Sequence, residues 1–240
     1  MKFLKRQKNH QSEDNHFWIS ISDLMTSLLF IFILILAYMI LEYQDKQEIA
    51  NKKIQAFEKN VHARSELLLQ LQKRLQQKGI NVEIDIDEGA MRITRERLFD
   101  SAKATIRQKK IWIIKEIAFE LLTMMEKEIY INAINTIFIE GHTDSVPLNK
   151  GKCGFRWTNM ELSAQRAINT FLLMDKLTNG AFSSLKNKKG QALVSYSGYA
   201  DTRPIKGVSN KTAEGRERNR RIQFFFAINP PSLDEIKNGH

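Results

Sequence analysis

From Phe17 to Leu41 the chain reads FWISISDLMTSLLFIFILILAYMIL, 25 residues in which Asp23 is the only charge. As a helix rising about 1.5 Å per residue, this stretch is roughly 37 Å long, enough to cross the hydrocarbon core of a bilayer with some tilt. A secretory signal peptide would have a shorter apolar core followed by a small-residue cleavage site. Here Glu42, Tyr43 and Gln44 follow, so the segment is expected to remain as an uncleaved anchor. Lys2, Lys5, Arg6 and Lys8 precede it, whereas Glu42 and Asp45 are the first charges after it. Positive flanks stay in the cytoplasm, which places residues 1–16 inside as a basic tail and everything after Leu41 outside, in the periplasm of a bacterium. Trp18 and Tyr43 sit near the two interfaces, where amphipathic rings are favoured.

Asp23 lies about six residues inside the apolar boundary, roughly 9 Å along a helix axis. A carboxylate in lipid costs several kcal/mol, so it must face protein or water, pair with a cation, or hold its proton. A snorkelling or capping aspartate at the interface is one solution. A group that binds and releases H⁺ or Na⁺ is the other, and Ser20, Ser22 and Thr26 supply hydroxyls close by. One helix encloses no path, so this second solution requires partner helices from other chains.

Residues 42–79 are expected to form a helical linker outside the membrane. Ile54, Val61, Leu68 and Leu75 recur at heptad spacing with Phe57 and Leu71, and Arg64 interrupts the second series. That seam suits a parallel two-stranded coil, hence a homodimer with two Asp23 residues side by side; the same spacing also suits a helix packed on its own domain.

Hydrophobic residues at 42% and charged residues at 27% mean that most of the 240-residue chain folds in water, with room for one domain beyond the anchor and linker. The net charge of +10 and pI near 9.6 raise nucleic acid as a partner. The basic residues are scattered, however, and no aromatic interleaving offers a stacking platform, so direct nucleic-acid binding is not expected. Cys153 is the single cysteine, which excludes an internal disulfide.

Beyond the linker, Val82, Ile84 and Ile86 alternate with acids as in a half-buried strand, Glu88-Gly89 offers a turn, and Met91 and Ile93 lead into a second strand. Helical spacing covers Lys109 to Ile129 and Asn159 to Leu177. Further strands are expected at Thr136–Glu140, Leu193–Ser197 and Arg221–Ile228. Strands alternating with long helices predict an α+β domain over residues 80–229, an α/β sandwich with helices on one sheet face, and a tail over 230–240.

Four ordered motifs resemble a known family. Gly141-His142-Thr143-Asp144, Asn159-x-x-Leu162-Ser163-x-x-Arg166-Ala167, Gly198-Tyr199-Ala200-Asp201 and Gly215-Arg216-x-x-Asn219-Arg220-Arg221 look like the OmpA-like peptidoglycan-binding domain. The longer insert between Asp144 and Asn159, containing Trp157, is more similar to the MotB branch. Trp18 followed by Asp23-Leu24-Met25-Thr26 resembles the membrane segment of MotB-type stator subunits, and the Phe-Trp-Ile-Ser approach resembles ZorB of the Zorya anti-phage defence system more than flagellar MotB.

The resemblance implies a peptidoglycan-anchored B subunit of an ion-driven inner-membrane rotary motor. It implies multi-helix MotA- or ZorA-like partners, a single-pass topology and no cofactor beyond the transported H⁺ or Na⁺. A flagellar stator subunit or a passive wall tether are the other members of the same set. A wall stem peptide carries a zwitterionic diaminopimelate, which needs an acid and a guanidinium held apart on rigid elements. Asp144 at a strand end and Arg166 on the next helix meet that need, and the resemblance gives them the ammonium and carboxylate roles respectively. Thr143 and Asn159 are supporting contacts, with Arg220 or Arg221 as a further candidate. An Arg166–Asp144 ion pair that merely staples the fold is the competing role. Glu140 and His142 share a strand face but lack further ligands at metal-binding spacing. Ser195, Ser197 and His142 lack the G-x-S-x-G elbow, and no Walker or Rossmann glycine run is present, so no enzyme is expected.

Overall fold

The computed structural model describes residues 4–93, 98–100, 102–148 and 158–231, with side chains from Phe17 onward. Helix α1 runs Leu4–Gln77, and the chain divides into two compact units, one up to Ile54 and one over Gln55–Ser232.

In the first unit, α1 is long and apolar enough to cross a membrane, and its apolar side chains from Phe17 to Leu41 are exposed all round. A helix that is apolar on every face has no favourable place in water and is suited to lipid or to other apolar helices. Past the apolar run its surface becomes that of a solvated helix. Lys46 pairs with Glu42 and Lys52 with Glu48, both at 2.8 Å and at i,i+4 spacing.

In the second unit, the remainder of α1 is part of the core. Ala63, Leu67, Leu68, Leu71 and Leu75 are buried. The compact unit thus takes in the chain from Gln55, and the heptad seam from Leu68 onward packs on its own domain. Spacing of 3 and 4 marks an apolar stripe without saying what covers it. Arg64, which breaks the heptad, is not a defect here. Its Nη2 donates to Ile86 O at 3.2 Å, and it lies so close over Gly89 that a Cβ there would stand 2.4 Å from Nη1. The helix ends in a Schellman motif: Gly79 adopts φ +77°, its N–H donates to Gln76 O, and Ile80 N–H donates to Leu75 O.

A five-stranded sheet follows, formed by β1 (Glu83–Asp85), β2 (Ala90–Ile93), β3 (Ile134–His142), β4 (Val194–Ala200) and β5 (Ile222–Ile228), in the spatial order β1-β2-β5-β3-β4. Only β3 and β4 run parallel; their crossover contains α4 (Asn159–Leu177), which begins with a capping box between Thr158 and Glu161. One sheet face presents Met91, Ile93, Ile137, Ile139, Ile222, Phe224 and Phe226 to the buried core shared with α1, α4 and α2 (Ile111–Met125). The other face carries a buried polar ladder. Gln223 donates to Glu140 at 3.1 Å and accepts from Arg92 at 2.9 Å and Arg221 at 3.1 Å.

Three details differ from the sequence expectation. The helix expected over Lys109–Ile129 is split: α2 ends at Met125, Lys127 is extended, and α3 (Glu128–Ala133) turns the chain directly into β3. Strand β4 extends to Ala200, past Gly198. The short helices α5 (Ala181–Ser184) and α6 (Ala213–Asn219) were not expected, because neither is long enough to show an apolar period.

Candidate functional site

Two glycines bring helix α4 against the sheet at the end where the site lies. A Cβ on Gly141 would stand 1.9 Å from Ser163 O, and one on Gly198 would stand 2.3 Å from Ala164 N. Neither residue has an unusual φ; each is glycine because backbone passes against backbone. Ser163 locks the seam: its hydroxyl donates to Met160 O at 2.8 Å and accepts from Ala200 N–H at 3.0 Å. Arg166, one turn farther along α4, is thereby held beside the end of β3.

Asp144 follows β3 and is buried. Both of its carboxylate oxygens are engaged. Oδ1 accepts from Val146 N–H at 2.9 Å, and Oδ2 accepts from the Arg220 guanidinium. Asn159, the first residue of α4, donates to Asp144 O at 3.1 Å and Val146 O at 3.0 Å, so its amide ties the loop after β3 to the helix start. Thr143 N–H donates to Ala200 O at 2.8 Å, while its buried hydroxyl has no partner among the described residues.

Arg166 is buried, and its hydrogen bonds reach neither Asp144 nor α6. Nε donates to Lys103 O at 3.0 Å, Nη2 donates to Asp100 O at 3.3 Å, and the guanidinium lies 4.9 Å from the Phe99 ring centroid. Burial, with the nearby Arg220 charge adding to it, pushes the Arg166 guanidinium down to about 10, while Asp144 acts in the opposite sense. The competing role foreseen for Arg166, a stapling ion pair with Asp144, thus falls to Arg220 instead. Asp144, Asn159 and Arg220 are brought into direct contact, and Arg166 joins them through its field.

The two adjacent arginines separate. Arg220 caps α6 and faces Asp144, whereas the buried Arg221 donates to Gln223 Oε1 at 3.1 Å and Arg203 O at 3.2 Å. Burial and the like charge of Arg92 push Arg221 down to about 10. Asn219 accepts from Ile205 N–H at 2.9 Å and donates to Asn210 Oδ1 at 2.9 Å, holding the preceding loop to α6 and so aiming Arg220.

His142 is buried, stacks on Tyr199 with centroids 5.6 Å apart, and has Nε2 3.5 Å from Glu140 Oε2. Burial holds its pKa below the ordinary value, with the Arg221 and Arg203 charges adding to the effect and Glu140 opposing it. Among the described residues no group of three or more His, Cys, Asp or Glu is placed to hold a metal ion. Trp157 lies outside the described residues.

Asp23 belongs to the other unit, on the exposed part of α1. Thr26, three residues on, donates its hydroxyl to Ser22 O at 2.7 Å, a bond to the carbonyl four residues back within the helix. Sequence reasoning missed Phe99, Asp100 and Lys103. Two of them contribute only backbone carbonyls, which leave no mark in residue identity.

No protein-family model matches the chain. It is 32% identical over 162 residues to motility protein B of Bacillus subtilis, which covers 65% of this chain and 53% of that protein. It is 28% identical over 185 residues to the uncharacterised B. subtilis protein YtxE, covering 75% and 60% of the two chains. The chain therefore spans little more than half the length of the curated relatives it matches. Its fold matches that of a MotB-like protein from Desulfovibrio vulgaris, with a TM-score of 0.54 and 21% identity, over 72% of this chain and 99% of that one.

Proposed function

We propose that this chain is the peptidoglycan-anchored B subunit of an ion-driven rotary motor in the bacterial inner membrane. The observation that carries the reading is the pairing, in one chain, of Asp23 inside an exposed apolar helix with a folded domain that holds an acid and two guanidiniums at one sheet end. Likeness to motility protein B supports the same assignment.

In this mechanism Asp23 carries H⁺ or Na⁺. Neutralising a carboxylate in lipid changes its solvation by several kcal/mol, so each ion bound or released alters which position in a surrounding ring of multi-helix partner subunits is favoured. The outer domain grips a diaminopimelate stem, Asp144 taking the ammonium and Arg166 the carboxylate, with Thr143, Asn159 and Arg220 in support. Held by the wall, this subunit stands still and the partner ring turns. Two copies side by side present two Asp23 residues.

The Phe17-Trp18-Ile19-Ser20 approach to Asp23 favours a ZorB-type subunit of a Zorya anti-phage system with ZorA-like partners. The likeness to motility protein B favours a flagellar stator with MotA-like partners. Adjacent nuclease and helicase genes, or flagellar and chemotaxis genes, separate the two. Asp23→Asn is expected to abolish motor output with membrane insertion and assembly intact. Full output from that variant would remove the motor and leave a passive tether.

A further inference from the structure

The acid that the proposed function gives to a ligand ammonium is already engaged within the chain. Asp144 Oδ2 accepts from Arg220, and Oδ1 accepts from Val146 N–H at 2.9 Å. An incoming ammonium competes with Arg220 for that carboxylate, whereas the Val146 contact belongs to the backbone of the loop. Of the two guanidiniums at the site, only Arg220 is placed to move. Its side chain is 43% exposed, against 10% for Asp144. Arg166 is buried, spends Nε and Nη2 on Lys103 O and Asp100 O, and rests on Phe99. Two guanidiniums and one carboxylate leave these three side chains with one positive charge in excess.

We propose that Arg220 is an exchange ligand that determines specificity: an incoming ammonium takes its place on Asp144, and its released guanidinium closes on a free carboxylate carried by the same ligand centre. This rests on the peptidoglycan reading of the site. The ligand class it selects is a diamino acid side chain ending in both an ammonium and an unmodified carboxylate. A carboxamide at that centre keeps the shape and the ammonium but gives the released guanidinium no charge to close on. A lysine side chain offers nothing there at all. Guanidinium–carboxylate pairing is planar, bidentate and charge-assisted, so losing the ligand's charge matters more than losing a neutral contact. Arg166 meets the same carboxylate from a fixed place, since it also holds the segment around Asp100 and Lys103.

The test titrates the full chain in detergent with three stem tetrapeptides: one with free diaminopimelate, one with its distal carboxylate amidated, and one with lysine. The wild type is expected to bind the free acid about tenfold more tightly than the amide, the loss typical of one charge-assisted contact. Arg220→Gln should reduce that preference to about threefold or less by weakening free-acid binding, and Arg220→Lys should restore part of it. Undiminished preference in Arg220→Gln would overturn the proposal. So would tighter free-acid binding by that variant, which would make Arg220 a competitor only. Asp144→Asn, checked for folding by its melting temperature, addresses the peptidoglycan reading separately. Wild-type binding by that variant, or no binding of any stem by the wild type, removes the reading together with the exchange built on it.

Discussion

Gly141→Ala is the sharpest test of how the site is held. The added Cβ would stand 1.9 Å from Ser163 O, a backbone atom with no rotamer to escape into. An ordinary carbon–oxygen contact is about 3.3 Å, so β3 and α4 must separate by about 1.4 Å. Opening the seam also strains the Ser163 hydroxyl bridge to Ala200 N–H, now 3.0 Å. Overpacking of this kind costs about 1–3 kcal/mol, which in a domain of this size lowers the melting temperature by roughly 2–12 °C. The displacement also carries Arg166, three residues beyond Ser163 on α4, away from the loop that holds Asp144. A misplacement of about 1 Å can cost up to about a hundredfold where geometry is demanding. Sacculus-binding affinity of the full chain should therefore fall more than the lost stability explains. Gly79→Ala is the control. It puts a side chain at φ +77° with nothing within 4 Å, so it costs about 1 kcal/mol of backbone strain and leaves binding alone. If Gly141→Ala melts and binds like the wild type, the close approach does not position the site.

Further outcomes follow from the same contacts. Leu71→Ala should destabilise the outer domain by about 2–5 kcal/mol in chemical denaturation, whereas Phe57→Ala, at an exposed position, should change it by under about 0.5 kcal/mol; equal effects would return the whole seam to an intermolecular coil. Arg166→Met should leave the carbonyls of Asp100 and Lys103 without their donors, costing about 1–3 kcal/mol and raising hydrogen exchange around residues 98–107; unchanged protection there would deny Arg166 a positioning role. His142 has a depressed pKa in the fold, so the unfolded chain takes up its proton first as pH falls. Its contribution therefore leaves stability intact above the ordinary histidine value of about 6.5 and erodes it below, by at most about 1.4 kcal/mol per pH unit. His142→Gln should flatten the stability–pH curve between pH 7 and 5 relative to the wild type, and an identical slope would refute the assignment.

The functional reading joins two halves that obey different physics. Asp23 is costly because lipid cannot solvate it, so its value lies in what it binds and releases. Asp144 is buried in protein, where Val146 N–H and Arg220 satisfy it and Asn159 steadies the loop around it.

Several features were legible in the linear chain because they depend on local pattern. The apolar stretch from Phe17 to Leu41 is legible in composition, with Asp23 its only charge. Helix α4 falls on the expected Asn159–Leu177, since a capping box and a regular apolar stripe mark it from within. The motif residues Asp144, Asn159 and Arg220 are indeed neighbours in space, although they lie up to 76 positions apart in the chain. Tertiary structure decided the rest. An apolar stripe on α1 does not state whether another chain or its own domain will cover it, and the core of its own domain takes in Leu68, Leu71 and Leu75. Likewise, a guanidinium finds the partner that packing places within reach. Arg166 therefore went to the carbonyls of Asp100 and Lys103, which any residue could supply, and left Asp144 to Arg220.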